Sequence, residues 1–88
     1  MDSMEIKNSI LATEFDRYVV NHPGFTKRIP RNAQVILQVE GDEKYNRWIR
    51  RIAEKQREPD QPVVFVKIKA LAPLKSRLIR PRLEVKVA

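Results

Sequence analysis

The chain has 88 residues, 42% of them hydrophobic, which makes it a single small domain that buries roughly 60% of its unfolded surface around a thin core. It contains no cysteine, so neither a disulfide framework nor a thiolate zinc site supplements that core. The formal charge of +7 is uneven: residues 1–44 hold six Lys/Arg against seven Asp/Glu, and residues 45–88 hold twelve against four. Such asymmetry points to an anionic partner for the second half, either nucleic acid or an acidic protein surface, with solubility as the ordinary alternative. No basic start is followed by an apolar run and no segment approaches the ~18 apolar residues of a membrane span, so a soluble cytoplasmic protein without membrane contact is expected.

A first helix is expected over about residues 4–21, because Met4, Leu11, Phe15, Tyr18 and Val19 recur on one face at helical spacing. His22, Pro23 and Gly24 end it, the proline unable to continue the helix and the glycine free to turn. Ile6 and Ile10 lie on a different side of this helix and need a second cover, which makes them candidate oligomer contacts. Residues 25–30 form a connector with one 3₁₀ turn, and Phe25 and Ile29 plug the end of the core.

A strand over residues 33–39 places Val35, Leu37 and Val39 inward and leaves Gln34, Ile36 and Gln38 on a partly wet face. Glu40, Gly41 and Asp42 turn the chain into a second helix over about residues 42–58, with Asp42 as N-cap and Tyr45, Trp48, Ile49 and Ile52 as its apolar stripe. Arg47, Arg50 and Arg51 lie opposite, near Glu43, Glu54 and Glu58, and read as a solvated face. A second strand over 62–70 sets Val64, Val66 and Ile68 against Val63, Phe65, Lys67 and Lys69. Its helical crossover calls for parallel pairing, so the fold class is α/β: a two-layer α-β-α-β domain with one parallel β-α-β unit. Two strands alone are not a stable sheet. Residues 82–87 alternate polar and apolar, with Leu83, Val85 and Val87 on one side, and predict a third strand on this sheet or on a neighbour's. The chain thus divides into a domain over 1–70 and a basic, proline-interrupted arm or edge strand over 71–88.

Little in these residues points to catalysis. Glu40, Asp42 and Glu43 offer hard oxygen ligands, but helix capping and dipole complementation account for carboxylates at this turn, and they would repel phosphate. The single histidine, His22, stands where a helix C-cap is needed, and no serine sits in a nucleophile elbow. No enzyme, cofactor or small-molecule ligand is expected. The uncompensated cations are Lys67, Lys69, Lys75, Arg77, Arg80, Arg82 and Lys86 against Glu84 alone, a set suited to reaching an anionic surface. Phe65, flanked by lysines on the outer sheet face, could stack an RNA base; equally, that face is closed by the first helix, the tail or a second subunit.

The runs Glu14-Phe15-Asp16-Arg17-Tyr18 and His22-Pro23-Gly24-Phe25, with residues 30–35 (PRNAQV) and 61–67 (QPVVFVK), resemble an uncharacterised family of short bacterial and archaeal proteins over about residues 9–70. The resemblance implies no catalytic residues. By analogy with other short prokaryotic proteins it suggests one half of a two-gene pair, such as an antitoxin. The expected function is a non-enzymatic protein-binding module, homo-oligomeric or bound to a protein partner through the C-terminal arm, with nucleic-acid binding as the alternative.

Overall fold

The structure, a computed structural model, describes residues 2–87. Met1 and Ala88, the outermost residues of the predicted domain and arm, lie outside the described residues. Helix α1 spans Ser3–Asn21, and Asp2 caps it by accepting the Glu5 N–H at 2.9 Å. At its other end His22 Nδ1 donates to the Tyr18 carbonyl at 2.9 Å, and the imidazole stacks on the Tyr18 ring with centroids 4.0 Å apart. The chain then enters a short helix, α2 (Pro23–Thr26), with Pro23 at its first position, where its missing N–H costs nothing. The connector is therefore α-helical at its start, and Gly24 lies inside the helix. The change of direction falls on His22 itself, at φ −134°.

Strand β1 (Gln34–Val39), helix α3 (Glu43–Gln56) and strand β2 (Val63–Ile68) complete the β-α-β unit. The strands pair in parallel, with Ile36 beside Phe65 and Leu37 beside Val66. Gly41 enters α3 at φ +83°, a left-handed backbone that a β-carbon would strain, and Asp42 caps the helix through the Tyr45 N–H. The core centres on Leu11, Leu37 and Tyr45, with Phe15, Val66 and Ile68 packed around them.

One expectation is corrected here. The face carrying Gln34, Ile36 and Gln38 is not partly wet over β1: Ile36 is 4% and Gln38 6% exposed. Over β1 its cover is neither α1 nor the tail. Helix α3 runs back along β1, the Gln34 amide donates to the Ala53 carbonyl at 2.8 Å, and Arg50 stands over the Phe65 ring at 5.6 Å. The crossover helix shields β1 and leaves Phe65, one strand further, 43% exposed.

The hydrogen-bond phase decides the fate of the sheet's two edges. Gln34 N–H donates to Pro62 and Glu40 N–H to Ile68, so the even-numbered residues of both strands face one another. In β1 the odd residues then face the far edge, where the Asn46 carboxamide accepts from the Val39 N–H at 2.9 Å and donates to the Val39 carbonyl at 2.8 Å. A carboxamide, with one acceptor and one donor side by side, replaces a neighbouring strand there. Replacing Asn46 with alanine strands both groups and should lower stability by ~2 kcal/mol, at ~1–3 kcal/mol per unpaired buried group. A urea titration checks this; an unchanged midpoint would show that water serves Val39 equally well.

Among the described residues no further strand forms beyond Ile68, which corrects the expectation of a third strand over 82–87 on the chain's own sheet. Residues 69–87 make no hydrogen bond to the rest of the described residues. They begin beside α1, where residues 71–75 flank Ile10 and Thr13, and then leave the body. Arg80 bends at φ +45° between Ile79 and Pro81. The molecule is 68 Å long but 32 × 23 Å across, and its radius of gyration is 18.3 Å. A compact chain of this length would give about 12 Å. The alternation of residues 82–87 supplies strand propensity, but the path of the preceding segment carries them away from an edge.

Candidate partner-docking surface

The arm displays its apolar side chains to solvent. Leu74, Leu78, Ile79, Leu83, Val85 and Val87 are between 73% and 95% exposed. Lys75, Arg77, Arg80, Arg82 and Lys86 alternate with them, all exposed, and none lies in an ion pair among the described residues. Lys67 and Lys69 continue the cationic series back to the sheet. Phe65 is accessible from one side only, since the Arg50 guanidinium occupies the other. The structure thus joins Phe65, Lys67 and Lys69 on β2 and its exit, but holds Leu83, Val85 and Val87 apart from Ile6 and Ile10. Ile6 and Ile10 are each 47% exposed on α1. The three α3 arginines are not matched to Glu43, Glu54 or Glu58 by contact; the ion pairs among the described residues are Lys7–Asp42 and Arg17–Glu14.

A groove of about 410 Å³ runs between α1 and β2, lined by Leu11, Phe15, Tyr18, Phe25, Val66 and Ile68, with Glu14 at its rim. Phe25 meets Phe15 and Tyr18 edge-on, with centroids 6.1 and 5.4 Å apart, which fixes the groove's aromatic wall. A shallower trough of about 280 Å³ lies beside β2 itself, between Val64–Lys67 and the side chains Phe25, Arg28 and Ile29. Sequence reasoning missed both, because each is made by elements remote in the chain.

It also missed the polar joint that seats α1. Lys7 pairs with Asp42, and the buried Tyr45 hydroxyl donates to Asn8 Oδ1 at 3.1 Å. Lys7 and Asn8 stand one turn before Leu11, a placement that marks them as neighbours of the core face but names no partner. Burial first, then the Asp42 charge, raises the Tyr45 hydroxyl above its ordinary pKa. The Lys7 ammonium, with the Tyr45 N–H, holds the Asp42 carboxyl below its ordinary value of 3.8. A carboxylate depressed in the folded state stabilises fully above its unfolded pKa, and that contribution disappears as pH falls through the lower folded value. Asp42→Asn keeps a capping side chain but not the charge, so it should be less stable than the wild type at neutral pH and converge with it below about pH 4, which flattens the acid limb. Equal acid losses in both proteins, measured by thermal melts, would remove the Lys7–Asp42 pair from the account. Asp42 does not gather with other carboxylates: among the described residues no three His, Cys, Asp or Glu side chains converge as metal ligands.

Fold and surface define a small α/β protein with a two-stranded parallel sheet and an extended, basic C-terminal arm. Residues 3–81 match the model of a family of unknown function, DUF5647, and the chain belongs to that family. The match reaches past residue 70, where the sequence resemblance ended, and so takes in the arm as far as Pro81. No curated protein and no solved structure gives a significant match. No described helix is long and apolar enough to cross a membrane.

Proposed function

We propose that this protein is a non-enzymatic protein-binding subunit that assembles through its C-terminal arm. One observation carries the reading: residues 76–87 stand away from the body with their leucines, isoleucine and valines exposed, each near a cation. Apolar side chains in that number are covered only when another surface closes over them. A backbone without internal partners is the form in which a peptide adds to an open sheet or groove. The antitoxin-like variant of this reading specifies the partner as the product of a paired gene, whose surface would be acidic to match the arm.

The cations favour a second reading, binding of nucleic acid by Lys67, Lys69 and the arm's five basic residues. Purification at low and high salt, followed by light scattering and the 260/280 nm absorbance ratio, separates the two. Protein-mediated assembly gives a mass above 10.4 kDa with a protein-like ratio at both salts. Nucleic-acid binding gives a raised ratio that salt abolishes, with a log–log slope near −0.7 per neutralised phosphate for single strands. A 10.4 kDa particle with a protein-like ratio, and no mass added by the cell extract, would reject both.

A further inference from the structure

The outer edge of β2 is an open strand slot. Since Val64, Val66 and Ile68 face β1, the N–H and C=O groups of Val63, Phe65 and Lys67 point outward, and no hydrogen bond among the described residues engages them. On the β1 edge Asn46 engages Val39, and among the described residues no side chain does the same on β2. The two depressions described above lie along this edge and share Phe25, Val66 and Lys67 in their linings. A strand laid along β2 would set one alternate row of side chains on the side of Val66 and the aromatic groove and the other on the side of Phe65 and Lys67. The groove demands apolar ones, whereas the Phe65 side, where Lys67 stands and Arg50 covers the ring, accepts a carboxylate.

Resting on the reading of the arm as an assembly device, we infer that the slot receives residues 82–87 of a second copy, in a reciprocal exchange between two chains. These six residues match β2 in length. Leu83, Val85 and Val87 enter the aromatic groove. Glu84, the arm's single acid, then lies on the side of Lys67, with Arg82 and Lys86 on the same face at either end. The donor belongs to another copy because in its own chain the segment sits beyond Pro73, the Arg80 bend and Pro81, on an arm that carries it along the 68 Å axis away from its own β2. Exchange closes both open edges with one symmetric contact, the usual form of a dimer.

The chain has no cysteine, so the pairing can be read by cross-linking in the full-length protein. Lys67→Cys is combined with Arg82→Cys, Glu84→Cys or Lys86→Cys. All four positions are exposed, and on one face of adjacent strands their Cα atoms come within disulfide reach. Mixing a Lys67→Cys chain with an arm-cysteine chain should give a covalent dimer of twice 10.4 kDa under mild oxidation. Placing both cysteines in one chain should still link chain to chain. A disulfide closed within a monomer would overturn the inference in favour of the chain's own edge. Lys67→Pro, which removes an outward N–H without touching the β1 ladder, and deletion of residues 82–88 should each give a monomer, and mixing the two should restore a dimer because one slot and one donor remain. Self-association that survives deletion of 82–88 but fails on deletion of 72–88 would reject the strand slot while leaving the arm's docking role intact. Association indifferent to both deletions rejects both.

Discussion

Replacing Leu11 with alanine is expected to lower the unfolding free energy by about 3 kcal/mol and to strip α1 from the sheet. Leu11 is the one residue of α1 that is buried; Met4 and Phe15 reach the core only in part, and Tyr18 is largely exposed. Truncating a buried leucine removes its transfer free energy and leaves a cavity, together about 2–5 kcal/mol. A domain of this size has only ~5–10 kcal/mol in total. The Lys7–Asp42 and Asn8–Tyr45 contacts cannot hold the helix alone, since a solvent-screened ion pair contributes little. Guanidinium unfolding followed by circular dichroism checks the value. A variant with an unchanged midpoint would show that α1 is held chiefly by its polar joint.

Deleting residues 72–88 should have the opposite signature: where the intact chain is monomeric the melting temperature stays nearly unchanged, and at higher concentration assembly is abolished. The deleted side chains bury little against the body, so the ~1.5–3 kcal/mol that each fully buried large apolar residue contributes is not at stake in the free chain. Had residues 82–87 formed a strand on their own sheet, three such side chains would be lost and stability would fall by several kcal/mol. Amide exchange distinguishes the cases without mutation: the arm's N–H groups exchange freely in the isolated chain and slow down when it docks. A truncated protein that melts well below the intact one, while both remain monomeric, would place the arm on its own body.

Most of the architecture was legible because it rests on local physics. The 3.6-residue recurrence of Tyr45, Trp48, Ile49 and Ile52 defines α3, the carboxylate of Asp42 caps it, and a helix between two short apolar strands demands a parallel pair. The boundaries expected at 4–21, 33–39, 42–58 and 62–70 fall within two residues of those observed. The basic, apolar-studded character of the arm was also written in its residues, from Lys75 to Lys86. Tertiary structure alone decided which surfaces are closed. It put α3 over Ile36 and Gln38, set Asn46 against the backbone of Val39, seated Lys7 on Asp42, and left the outer edge of β2 open beside an aromatic groove. Periodicity shows that a strand has two faces and two edges, but it carries no information on what reaches them, since that depends on contacts between residues seven to more than thirty positions apart. For the same reason the alternation of residues 82–87 specifies a strand without specifying its sheet: propensity belongs to the segment, and pairing belongs to whichever open edge lies within its reach.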